Sequence, residues 1–185
     1  MIHSERLPTL DTPRLRLRHI ETRDLPALFR VFSNIDALRY WSHGPWTEMA
    51  QAERYLADIH RGLREQRWYQ WGIARRDDDA LIGTTTLFNL NPAHRRSEIG
   101  YILHPEHWGQ GLAHEALSAL LEYAFGELDL HRLEADTDPG NQGSNRLLER
   151  LGFQREGEMR ERWLVDGQWA DSLFWGLLRH QSRWA

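Results

Sequence analysis

Glu98-Ile-Gly-Tyr-Ile-Leu-His-Pro-Glu-His-Trp-Gly-Gln-Gly-Leu-Ala113 is the stretch on which the fold turns. Ser97 to Leu103 reads as a strand, Pro105 to Gly111 breaks regular structure, and Leu112 to Phe125 is a helix. Within that helix Ala116, Leu117, Leu120, Leu121 and Ala124 fall on one side. A strand therefore feeds a glycine-rich turn that opens a helix. The first helical N–H groups lack intrahelical acceptors, and the positive end of the dipole lies there. Gly109 and Gly111 let the backbone curl and let an anion come close. The turn is a candidate pyrophosphate cradle; glycines that serve only a tight strand-to-helix turn are the competing reading. A dinucleotide-binding G-x-G-x-x-G needs a third glycine where His114 stands, and belongs in a first β–α unit, which this is not.

Working outward, Arg14 to Ile20 alternates strictly and predicts a strand with a solvated arginine face. Thr22 or Asp24 can cap a helix with Pro26 in its first turn and Leu25, Leu28, Phe29 and Phe32 as its stripe. A turn-rich stretch follows from Asn34, with Trp41, His43, Gly44, Pro45 and Trp46, and Thr47 reads as the cap of a helix ending near Gly62. Trp68 to Ala74 and Leu81 to Leu90 form a meander around Arg75 to Asp79. Beyond the central helix come a strand at His131 to Thr137, a loop at Asp138-Pro139-Gly140 and a helix from Ser144 to Leu151, stopped at Gly152. Arg162 to Val165 and Asp171 to Leu178 pair through Asp166-Gly167. The order predicts an α/β fold of mixed α+β character. Its twisted mixed sheet has about seven strands, a parallel crossover in the middle and helices on its faces.

The chain has 185 residues, 41% of them hydrophobic and 27% charged, with a net charge of −4. That suits one domain spanning 1–185. The negative balance argues against nucleic-acid binding through phosphate neutralisation. No apolar run approaches the length of a membrane span, and Met1 to Leu10 holds no signal-peptide core, so a cytoplasmic location is expected. With no cysteine there is no disulfide, thiolate nucleophile or Cys-ligated metal. All 23 basic residues are arginine. The absent lysine excludes a G-x-x-x-x-G-K-[ST] phosphate loop and a Schiff-base lysine. His94, His104, His107 and His114 cluster without H-E-x-x-H spacing, so no metal is expected. Ser144 lacks the G-x-S-x-G elbow of a hydrolase.

Taken in order, Glu98-Ile-Gly-Tyr101, Trp108-Gly-Gln-Gly-Leu-Ala-His-Glu-Ala116 and Asn141-x-x-Ser144-x-x-x-Leu148-x-x-x-Gly152-Phe153 resemble the GNAT superfamily of N-acetyltransferases. More narrowly, they are similar to its RimJ/RimL-like branch, acetyltransferases of ribosomal-protein N-termini and their relatives. Leu10-Asp-Thr-Pro-Arg-Leu-Arg-Leu-Arg18 is similar as well, and the resemblance runs from about residue 10 to 178. It implies acetyl-CoA as co-substrate, bound where two parallel strands, Ser97–Leu103 and His131–Thr137, splay apart. It places the pantetheine arm along the backbone of Ile102 and Leu103, which would also supply an oxyanion-stabilising N–H. The pyrophosphate would sit on the amides of Gly109, Gln110, Gly111, Leu112, Ala113 and His114, and Asn141 on the pantetheine amide. Trp108 stands where the superfamily pattern has Gln or Arg, a feature common in this branch that removes one charged contact.

The implied reaction is direct acetyl transfer to a primary amine, borne by a protein N-terminus or a small molecule. A non-catalytic CoA-binding protein on the same fold is the alternative. The amine must lose a proton and the departing thiolate must gain one. Glu98, the lone acid in a strand otherwise read as buried, is the candidate base through water, with burial expected to raise its pKa. A solvated strand-end glutamate paired with Arg95 or Arg96 is the plainer reading. Many superfamily members carry an acidic tyrosine where Leu148 stands; Ser144 is the implied substitute, or else simply a helix cap. The branch's glutamate after Gly-Phe falls at Trp163 here, beside Glu161, and the Trp41–Trp46 stretch can line an acceptor pocket. Monomer and homodimer both remain open.

Overall fold

The computed structural model describes residues 2, 4–165 and 167–184. Eight strands form one sheet: β1 (Leu10–Asp11), β2 (Leu15–Arg18), β3 (Tyr69–Arg75), β4 (Leu81–Asn91), β5 (Arg96–Leu103), β6 (Arg132–Thr137), β7 (Gln154–Val165) and β8 (Gln168–Leu178). Their spatial order is β1-β2-β3-β4-β5-β6-β8-β7. Every neighbouring pair is antiparallel except β5 and β6, which the right-handed crossover rule for a β–α–β unit makes the parallel pair. The helices are α1 (Leu25–Phe32), α2 (Met49–Arg64), α3 (Leu112–Gly126) and α4 (Gln142–Leu151).

Two cores form because strand side chains alternate between faces. Leu28, Val31, Phe32, Leu56 and Ile59 from α1 and α2 cluster with Ile20, Leu81 and Ile102. Leu117, Leu120, Leu121, Leu148 and Leu151 from α3 and α4 cluster with Ile99, Leu103, Leu133 and Trp175. Glu98 and Gly100 share the period of Ile102, and so lie on the α1–α2 face. Tyr101 shares the period of Ile99 and Leu103, and faces α3 and α4.

The structure departs from the sequence reading at several local points. The expected arginine face of β2 is not wholly solvated. Arg18 is buried, donating to Asp24 at 2.8 and 2.9 Å and to Asp79 at 2.8 Å. A charge can be buried only when paired this closely. Asp24 is thereby spent on Arg18 and on the Glu21 N–H (2.8 Å), and places no side-chain cap on α1. Thr47 does not cap α2 either. Glu48 holds that place, and Gln51 Oε1 accepts the N–H groups of both Thr47 (2.8 Å) and Glu48 (3.0 Å). The strand β7 begins at Gln154, eight residues before the expected Arg162. As an outer strand exposed along most of its length it lacks the apolar alternation that marks a half-buried strand. The expected Asp166-Gly167 turn lies partly outside the described residues; Gly167 itself has φ +78°.

Candidate active site

The ladder between β5 and β6 runs through Arg96↔Arg132, Ser97↔Leu133 and Glu98↔Glu134, and stops there. Beyond it β5 keeps pairing with β4 as far as Leu103, and β6 with β8 as far as Thr137. The two strands part after Glu98, and the groove between them opens toward α3 and α4. Backbone groups along β5 alternate sides. His104 N–H donates to Ile82 O at 2.9 Å, and Gly100 O accepts from Thr85 Oγ1 at 3.1 Å, so even-numbered residues turn to β4. Arg95 O accepts from His131 N–H, so odd-numbered residues turn to β6. This corrects one expectation. Ile102 spends its backbone on β4, and the groups exposed in the groove belong to Tyr101 and Leu103. The Leu103 carbonyl already accepts the Trp108 indole N–H at 2.9 Å. Trp108 thus stiffens the exit from β5 while the residue stays 51% exposed.

At the groove's far end, Gly109 (φ +71°) and Gly111 (φ +75°) are in the left-handed region, with Gly111 capping α3. Any side chain there is strained by the backbone itself. The leading amides of α3, from Leu112 onward, are therefore presented to whatever lies before the helix. Sequence reading assigned no cation here, yet one is present. Arg14 donates to Gln110 O at 3.0 Å, and its Nη2 would lie 3.6 Å from a Cβ on Gly111. It is anchored by Glu115, in the first turn of α3, which accepts from Arg14 Nε (2.6 Å), Arg14 N (2.8 Å) and Thr12 Oγ1 (2.6 Å). Burial pushes the Glu115 carboxyl up, but these hydrogen bonds outweigh it and hold it below the usual carboxylate range. On the other side Arg183 sits 3.3 Å from His114 Nε2. Burial, then Arg183 and Arg150, lower the His114 pKa.

Ser144 stands in the first turn of α4, and the helix begins two residues earlier than expected because Asn141 is its cap. Asn141 Oδ1 accepts the Ser144 N–H at 3.1 Å. Ser144 is therefore not the cap, and its hydroxyl is available for other work. Asn141 keeps its Nδ2 to donate to a ligand. Beneath Ser144 lies a group that sequence reading missed. The Tyr101 hydroxyl is buried without a formed hydrogen bond, and Ser144 is the polar side chain it meets. Burial pushes the phenol up to about 12, with Ser144 pulling slightly the other way. Leu148, at the position of the absent tyrosine, is fully buried in the α3–α4 core.

Glu98 is half-buried on the opposite face. It does not pair with Arg95 or Arg96, which bind Asp129 and Glu134; its Oε1 accepts from Asn89 Nδ2 at 2.9 Å. Next to it, above β4 and β5, is a cavity of about 390 Å³ walled by Trp41, Tyr55, Ile59, Trp68 and Phe88. Of the Trp41–Trp46 pair only Trp41 lines it, while Trp46 stacks on Phe32 in the core at 4.6 Å. Trp68 can lie against α2 because Gly62 has no side chain: a Cβ there would sit 2.2 Å from the indole. Tyr40, between α1 and α2, donates to Gly140 O at 3.0 Å and so ties the cavity's loop to the β6–α4 loop. Trp163 and Glu161 lie in the irregular part of β7; the Trp163 indole donates to Asp136 Oδ2 at 3.2 Å, and Glu161 has φ +52°. Among the described residues no group of three or more His, Asp or Glu is arranged to hold a metal ion.

The family model described as the acetyltransferase (GNAT) domain matches residues 14–154. The chain belongs to the GNAT acetyltransferases. This GNAT protein is 38% identical over 172 residues to the uncharacterized N-acetyltransferase YoaA of Bacillus subtilis, covering 93% of this chain and 97% of that one. Its fold matches a spermidine N-acetyltransferase of Vibrio cholerae, solved with CoA and spermine, at a TM-score of 0.81 and 25% identity, over 92% and 98% of the two chains. It also matches Mycobacterium smegmatis RimJ in complex with CoA-disulfide at 0.78 and 27% identity, over 89% and 81%. The GNAT protein stands with the RimJ-like branch and is an acetyl-CoA-dependent N-acetyltransferase acting on amines. The parted strands, the left-handed glycine turn with Arg14 beside it, and the unpartnered Tyr101 hydroxyl fit such a thioester ligand.

Proposed function

We propose that the acetyl group passes directly from acetyl-CoA to a primary amine within one ternary complex, in a single-domain, cytoplasmic enzyme. The observation that carries this is the parting of β5 from β6 directly after Glu98. It leaves Glu98 on one face of the opening, Ser144 on the other, and strand backbone between them. The co-substrate supplies an activated acetyl thioester. The amides from Gly109 to His114 at the start of α3, with Arg14, hold its pyrophosphate, and Asn141 Nδ2 and the backbone of Tyr101 and Leu103 hold its arm. Glu98 takes the amine's proton through water, an N–H of Tyr101 or Leu103 faces the developing oxyanion, and Ser144 returns a proton to the leaving sulfur. The amine belongs to a protein N-terminus or a small molecule, in line with the relatives named as a spermidine N-acetyltransferase and a ribosomal N-acetyltransferase. Neither membrane nor nucleic acid takes part, and the enzyme works as a monomer or homodimer. No helix among the described residues is long and apolar enough to cross a membrane. An acceptor screen that follows free CoA, with mass analysis of products, tests the reading. Amine-dependent CoA release with gain of one acetyl group is expected. Acetyl-CoA binding without transfer to any amine would refute it.

A further inference from the structure

We infer that the acceptor amine is borne by a bulky apolar group, aromatic or branched aliphatic, which fills the aromatic-walled cavity beside Glu98. This deepens the reading above and rests on the acceptor reaching the parted strands from the α1–α2 face.

Position, size and chemistry agree on it. The cavity floor is Thr84, Thr86, Phe88 and Gly100 on β4 and β5. Gly100 lies two residues beyond Glu98 on the same face, so a group seated there places an attached amine toward Glu98. The volume of about 390 Å³ is that of a small-ligand site. Its walls, Trp41, Tyr55, Ile59, Trp68 and Phe88, are large and apolar. The hydroxyl among them is already matched. Tyr55 Oη accepts from Gln70 Nε2 at 2.8 Å, and burial pushes that phenol up to about 12, keeping it neutral.

A polycation is the alternative, since aromatic rings also attract ammonium groups. Three features count against it. Asp58 is the one carboxylate among the described lining residues, and it is paired with Arg61. The Arg67 guanidinium already lies over the Trp68 ring, 5.0 Å from its centroid. Phe32, stacked on Trp46, also packs edge-on with Trp41 at 5.5 Å and tilted against Tyr55 at 5.0 Å, so these rings are engaged in the core. A second or third ammonium would therefore enter an apolar space without a free counter-charge.

The test is a matched acceptor panel with acetyl-CoA: 2-phenylethylamine and a phenylalanine-initiated pentapeptide against ethylamine, a glycine-initiated pentapeptide and spermidine. Burying one large apolar side chain supports a preference in kcat/KM of roughly 10- to 100-fold for each phenyl acceptor over its small counterpart. Spermidine should fall with the small amines. Free amine and peptide share the recognised chemistry, and whichever phenyl arm is faster identifies the source. Thr86→Phe, which fills the cavity from its floor, should collapse the phenyl-to-ethyl ratio toward one. Preferred turnover of spermidine or the small amines would overturn the inference and leave the transferase reading standing. No transfer to any arm, with acetyl-CoA still raising the melting temperature, would overturn both.

Discussion

Removing the Ser144 hydroxyl separates chemistry from architecture, because the structure gives the capping task to a different residue. In Ser144→Ala the α4 cap survives, since Asn141 Oδ1 still receives the N–H of residue 144. Alanine is the better helix former by a few tenths of a kcal/mol (~0.5 at most), so the melting temperature should hold or rise slightly. Asn141→Ala removes the cap, at a cost of about 1 kcal/mol. In a domain of this size that lowers the melting temperature by roughly 2–4 °C. If Ser144 is the proton donor, Ser144→Ala lowers kcat by roughly 10²-fold, with little change in the KM for acetyl-CoA. Paired thermal melts and initial rates, measured with the best amine from the acceptor screen, read out both variants. A Ser144→Ala protein that melts a few degrees lower and turns over normally would refute this assignment and return Ser144 to a structural role.

Other perturbations have equally defined outcomes. Glu98→Gln should lower kcat by roughly 10²-fold at neutral pH, with the deficit shrinking at high pH where the amine is already unprotonated; a deficit constant across pH would contradict a base. Gly111→Glu places charge and a side chain at a left-handed position of the cradle, and should abolish the rise in melting temperature that acetyl-CoA gives the native protein; an unchanged rise would remove the cradle. Asp24→Ala leaves buried Arg18 with Asp79 as its remaining carboxylate and should destabilise by about 2–3 kcal/mol, measured by denaturant unfolding; a loss under 1 kcal/mol would show that Asp79 and water suffice for Arg18. His19 stacks on His60 at 4.8 Å, and burial, then the His60 and Arg6 charges, lower its pKa to about 4. Its neutral form is favoured on folding, so stability is full above the unfolded pKa of about 6.5 and declines as pH falls toward 4. His19→Gln should flatten that part of the stability–pH curve, and an unchanged slope would count against it.

Much of this arrangement is legible in sequence because it rests on local signals. The turn from Trp108 to Ala113 declares itself through two glycines before an amphipathic helix, and both are left-handed in the fold. The parallel crossover follows from element order. What escapes are features set by pairing across long separations. Arg14 reaches Gln110 and Glu115 only once β2 lies beside α3, so its place at the cradle has no local mark. Tyr101 reads as one more apolar strand residue until α4 is laid over it. The turning of Ile102 toward β4 depends on the phase of the β4–β5 ladder, which composition does not encode. Asn141 and Ser144 both suit a cap, and only the backbone at residue 141 decides between them.

The central claim, direct transfer at the parted strands, is tested most directly by two-substrate initial-rate kinetics. Acetyl-CoA is varied at several fixed concentrations of the acceptor found in the screen. With no cysteine in the chain and both substrates meeting in one groove, reciprocal plots should converge, as a ternary complex requires. Parallel lines, the pattern of an acetylated enzyme that releases CoA before the amine binds, would contradict the account.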